Sequence, residues 1–149
     1  MKTRGFKLLE ENAIIPTRAT SNSAGYDFYV PKGNADYAVF PGETVKIPTN
    51  VAAYMQSDEV LTIHVRSSIG IKKGLVLANS TGIIDSDYYD NPDNGGNIII
   101  VLRNCGDEVQ VVHPGDRIAQ GVFVKYLTVD NDAPLSESRE GGIGSTGTK

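Results

Sequence analysis

The chain has 149 residues, 40% hydrophobic and 21% charged, with a formal net charge of -4 and a pI near 5.1. That length suits one domain with a real core, and the acidic balance argues against a general nucleic-acid binder, which needs a basic stripe for phosphates. The single cysteine, Cys105, cannot close an internal disulfide, and MKTRGFKLLEENAIIP lacks the apolar run of a signal peptide or membrane span, so the cytoplasm is the expected location.

Short apolar runs separated by Gly, Pro, Asn and Asp follow one another from Phe6 to Val129, and none keeps a helical period for three turns. This predicts an all-β domain over residues 1–129, a jelly-roll-like barrel or sandwich. Strands are predicted at 25–30, 43–47, 60–65, 97–102, 108–112 and 118–129, with a short helical turn at 67–72. Pro16, Pro31, Pro41, Pro48 and Pro114 are read as lying between strands, because proline has no ladder donor. The polar loop 89–96 is expected at the surface. Cys105 is read as a buried, inert thiol. Residues 130–149 carry Leu135 and Ile143 as their large apolar side chains and end in GGIGSTGTK. Such an arm cannot build its own core and is expected to be mobile alone.

The densest chemistry lies in NSTGIIDSDY, residues 79–88. Asn79 to Gly82 is a turn signal of the kind that reverses a hairpin. Ile83 and Ile84 begin a new strand, and Asp85 just inside it is a carboxylate held still enough to serve as a general base. The plain alternative is that Asp85 and Asp87 solvate a turn. Four other stretches accompany it: SAGYD at 23–27, RSSIG at 66–70, PGDRIAQ at 114–120 and GGIGSTG at 141–147. The second places a guanidinium, two hydroxyls and a helix start before Lys72 and Lys73, a combination that suits phosphate; a solvated basic turn is the alternative. The fifth resembles a phosphate-cradling glycine loop without the Walker lysine.

In this order and spacing the five stretches resemble the motifs of the trimeric deoxyuridine triphosphatases, the dUTPases, from Ala24 to Gly147. The resemblance implies a β jelly-roll homotrimer that hydrolyses dUTP to dUMP and pyrophosphate, limits uracil in DNA and supplies dUMP for dTMP synthesis. Mg²⁺ is implied as the cofactor, held mainly by the triphosphate and water, with no direct protein ligand. Each active site would be shared by three subunits, one lending its arm as a lid.

By the same resemblance, Asp85 activates the attacking water. Asn79 bonds uracil with help from the backbone around Gly82 and Ile84, and Tyr88 packs on the deoxyribose, leaving no room for a 2′-hydroxyl. Arg66, Ser67, Ser68 and Gln120 correspond to phosphate contacts, and Asp27 supports Arg66. In the arm, Ile143 would cover the base, while Arg139, Gly144, Ser145 and Thr146 would reach the phosphates. The chain departs from the family pattern at Ser68, usually Gly; at Ile143, usually Phe; at Arg139, two rather than three residues before Gly141; and at the loop 89–96. Two rival functions are a dCTP deaminase of the same fold and a nucleotide-loaded regulator with a protein partner at that loop. No nucleic-acid or membrane partner is expected.

Overall fold

The computed structural model describes residues 2–137. They form strands β1 (Gly5–Leu8), β2 (Thr17–Arg18), β3 (Tyr26–Tyr29), β4 (Tyr37–Val39), β5 (Thr44–Pro48), β6 (Val51–Tyr54), β7 (Glu59–Val65), β8 (Leu75–Leu77), β9 (Gly82–Asp85), β10 (Ile99–Asn104), β11 (Gln110–Val112) and β12 (Arg117–Lys125). Among the described residues, helical geometry is confined to one π turn, Ser68–Lys72, and one 3₁₀ turn, Ser86–Tyr88. The fold is therefore the all-β jelly roll expected. No helix among the described residues is long and apolar enough to cross a membrane.

Two sheets face each other. One runs β2-β3-β12-β7-β9 and the other β5-β10-β8, with the pairs β1-β6 and β11-β4 at the flanks. Alternation builds the space between them, because successive strand side chains point to opposite faces. In β7 Leu61 and Ile63 turn inward; in β10 Ile100 and Leu102 do, and all four are buried. Phe28, Ile47, Leu75 and Ile118 complete the fill. Phe6 then pins β1 onto the five-stranded sheet through edge contacts with Tyr26 at 5.4 Å and Phe28 at 5.6 Å. Such aromatic pairs add about 1 kcal/mol beyond the area they bury.

Several expectations are corrected. Strands β1, β2, β4, β6 and β8 lie outside the predicted runs. Each has two to four residues, too few to display an alternation. Pro48 is the last residue of β5, opposite Ile99, and a strand end tolerates the missing donor. The run 118–129 stops as a strand at Lys125 because its partner β7 begins at Glu59, directly opposite. Beyond it, Tyr126 donates its backbone N–H to the Asp58 carbonyl and Leu127 is exposed. Cys105 is exposed rather than buried, since it follows β10 in the turn where its N–H bonds the Gly74 carbonyl.

Candidate active site

The turn at 79–82 does not close a hairpin. Strand β8 pairs with β10, whereas β9 pairs with β7, so the chain crosses from one sheet to the other. The crossing is tight: Ser80 adopts φ 66°, its N–H bonds the Leu77 carbonyl at 3.0 Å, and the Thr81 N–H bonds the Asn79 carbonyl at 2.7 Å. Gly82 is required where the chain lands, because a Cβ there would lie 2.9 Å from Ile63 Cβ. The turn signal was legible, but it marks an arch between layers rather than a reversal within one.

Since β8 and β9 each end their sheet, the arch leaves two strand edges facing a common cleft. Edge strands offer backbone donors and acceptors outside their own ladder. The cleft holds about 540 Å³ and is lined by Asn79, Gly82, Ile84, Asp85 and Tyr88, with Ile63, Leu77 and Ile100 as its apolar floor. That combination of an apolar wall and a few convergent polar groups is what a small-molecule site requires. Asp85 ends β9 opposite Val60 and is exposed, while Tyr88 is buried in the 3₁₀ turn that follows.

A second cleft gathers SAGYD, RSSIG and PGDRIAQ. Ser23, Gly25, Asp27, His64, Arg66, Ser67, Ser68 and Gln120 line it, brought together because β12 pairs β3 on one side and β7 on the other, with Gln120 opposite both Asp27 and His64. Arg66 Nε lies 3.2 Å from Asp27 Oδ1, and Arg117 Nη1 lies 3.6 Å from Asp27 Oδ2. The buried carboxylate thus holds two guanidinium groups at the rim. At the helical start, the Ile69 and Gly70 N–H groups both bond the Arg66 carbonyl, and Ser67 stands exposed. Hydroxyls, an amide and guanidinium groups make this cleft receptive to an anion.

The two clefts have no lining residue in common. Asp85 pairs at Val60 and Gln120 at His64, with β7 between their strands; strand spacing then separates them by on the order of 15 Å. Arg139, Ile143, Gly144, Ser145 and Thr146 lie outside the described residues. Ser23 and Arg117, within SAGYD and PGDRIAQ, also line or support the second cleft, and His64 joins them from outside the five stretches. For His64 a signal existed: with Leu61 and Ile63 inward, alternation sets Thr62 and His64 on the other face, and His64 Nε2 lies 3.1 Å from Thr62 Oγ1. Among the described residues no group of three or more His, Cys, Asp or Glu side chains is placed to hold a metal ion.

A two-layer β jelly roll with one cleft between sheet edges and a separate anion-receptive cleft defines the class. Comparison narrows it: residues 11–147 match the dUTPase family model, and the chain belongs to the dUTPase family. It is 49% identical to a deoxyuridine 5′-triphosphate nucleotidohydrolase of Lactococcus lactis, over 99% of both chains. A dUTPase structure from Streptococcus mutans superposes with TM-score 0.77 at 43% identity, covering 85% of this chain and 99% of that one. A variant dUTPase from phage phi11 of S. aureus, whose structure concerns the coordination of a structural Mg(II) ion, gives TM-score 0.72 at 25% identity, covering 91% and 99%.

Proposed function

We propose that this chain hydrolyses dUTP to dUMP and pyrophosphate, limiting uracil in DNA and supplying dUMP for dTMP synthesis. The observation that carries the reading is the arch between Leu77 and Gly82, which sets Asn79, two strand edges, Asp85 and Tyr88 around one cleft. A flat pyrimidine fits between such edges, its polar atoms meeting Asn79 and the backbone near Gly82 and Ile84. A cytosine there leaves buried donors unmatched, at about 1–3 kcal/mol each. Tyr88 closes the sugar side against a 2′-hydroxyl.

Asp85 takes a proton from water as that water attacks the α-phosphorus in line; the bond from that phosphorus to the bridging oxygen breaks and pyrophosphate leaves. Arg66, Ser67, Ser68 and Gln120 meet the phosphate oxygens as charge builds on them. One nucleotide must touch both Asp85 and these donors, yet a single chain holds them apart. This supports a homotrimer in which neighbouring chains complete each site, with Arg139, Ile143, Gly144, Ser145 and Thr146 closing over the nucleotide. Among the described residues no group of three or more His, Cys, Asp or Glu side chains offers a metal ion a ready set of ligands. Mg²⁺ belongs to the substrate, as the complex of its triphosphate.

The test is pyrophosphate release, with Mg²⁺, from dUTP, dCTP, dTTP and UTP in turn. Release from dUTP alone is expected. Ammonia from dCTP in place of pyrophosphate from dUTP would convert the reading to a deaminase. The expected setting is the cytoplasm.

A further inference from the structure

Residues 89–96 stand outside the five motif-like stretches, and they are not the plain surface loop that their composition suggests. Asn91 is 6% exposed. Its Nδ2 donates to the Tyr88 carbonyl at 2.7 Å and to Asn94 Oδ1 at 2.9 Å, and its Oδ1 accepts the N–H groups of Asp93 at 2.9 Å and Asn94 at 3.1 Å. Asn94 in turn donates from Nδ2 to the Tyr88 hydroxyl at 3.0 Å, and its Oδ1 accepts the Gly96 N–H at 3.1 Å. The hydroxyl itself donates to the Asn97 carbonyl at 2.6 Å.

The loop is also braced along its own backbone and at its exit. Asp90 N–H bonds the Gly95 carbonyl at 3.1 Å and Gly95 N–H bonds the Asn91 carbonyl at 2.9 Å. Gly96 has φ 94°, and a Cβ there would lie 3.0 Å from Tyr89 Cα. Asn97 is fixed to the turn before β6 by a reciprocal exchange with Asn50, at 2.9 Å each way. Tyr88 is therefore gripped at its main-chain carbonyl by Asn91 and at its phenol by Asn94 and the Asn97 carbonyl. A side chain can exclude a 2′-hydroxyl only if it cannot swing aside, and these bonds oppose that swing.

We propose that Asn91 and Asn94 are positioning residues for Tyr88, so that the loop 89–96 sets the choice between deoxyribose and ribose triphosphates. This rests on the dUTP reading of the cleft. The readout is the ratio of kcat/KM for dUTP to that for UTP, because a ratio cancels the fraction of folded enzyme and a merely structural role leaves it unmoved.

In Asn94→Asp the Oδ1 bonds to Asn91 and Gly96 are retained, while the donor facing the Tyr88 hydroxyl becomes a carboxylate oxygen. The ratio should fall roughly three- to tenfold, the worth of one ordinary hydrogen bond. Asn91→Ala should lower it further, and should that variant not fold, Asn94→Asp carries the test alone. Tyr88→Phe, which removes the hydroxyl, should make the Asn94→Asp change silent in the double variant, since the two act through one bond. An unchanged ratio in Asn94→Asp, or full additivity with Tyr88→Phe, overturns the proposal. A wild-type enzyme selective for dUTP with unaltered variants overturns this inference alone, whereas a wild type that hydrolyses no dUTP overturns the reading beneath it as well.

Discussion

The Arg66 guanidinium meets the Asp27 carboxylate at 3.2 Å, joining the end of β7 to β3 across β12. Asp27 is 6% exposed, and Arg66 and Arg117 are the cations that meet it. Asp27→Ala should cost roughly 2–3 kcal/mol, below the loss for a wholly buried pair because both arginines reach solvent. Denaturant unfolding measures it. The same variant should bind pyrophosphate more weakly, since both guanidinium groups lose the anchor that aims them.

Gly82→Ala tests the arch. The added methyl would meet Ile63 Cβ on a branched, buried side chain that has no room to retreat. Overpacking of this kind costs about 1–3 kcal/mol. Because Gly82 opens the strand that Asp85 ends, turnover on dUTP should fall along with the melting temperature. A variant with native stability and full turnover would show that the strand lands with slack.

How much of this was legible in the sequence depends on distance along the chain. Asn79, Gly82 and Asp85 announce a turn and a placed carboxylate within a few residues, and the strands with longer alternation, such as β7, could be read directly. Which strand pairs with which could not. A turn signal looks alike whether β9 returns to β8 or passes to β7, and the difference creates the cleft. The composition of 89–96 likewise reads as a solvated loop, because nothing local says that the Asn91 and Asn94 amides turn inward onto Tyr88. Cys105 shows the same limit: its apolar character points to burial, and its place in a turn leaves it exposed.

Acid stability should report on a contact at the N-terminus. Arg4 Nε donates to Glu59 Oε1 at 3.1 Å, and the Gln56 N–H adds a bond at 3.0 Å. The Arg4 hydrogen bond foremost, and then that backbone N–H, hold the Glu59 carboxyl below its ordinary value. A depressed carboxylate stabilises the fold fully above the unfolded value, near about 4.3, and loses that contribution as pH falls through its folded value. Glu59→Gln should therefore be less stable at neutral pH and should show a shallower loss below about pH 4. Parallel acid unfolding curves for the two proteins would contradict the assignment.

Separated clefts make a prediction for mixtures. Asp85→Asn chains and chains carrying Ser67→Ala with Gln120→Ala should each be impaired alone. After unfolding and refolding together at equal amounts, random assortment restores roughly a quarter of the sites if neighbouring chains supply the two halves. Activity no greater than the mean of the separate variants would place both halves of each site within one chain.

The most direct test of the account is turnover of dUTP by Asp85→Asn, measured beside its affinity for a non-hydrolysable dUTP analogue. Loss of a positioned general base predicts a fall of about 10² to 10⁴ in kcat with the analogue still bound at near wild-type affinity. Near-normal turnover would contradict the central claim that this carboxylate, at the end of the arch strand, activates the water.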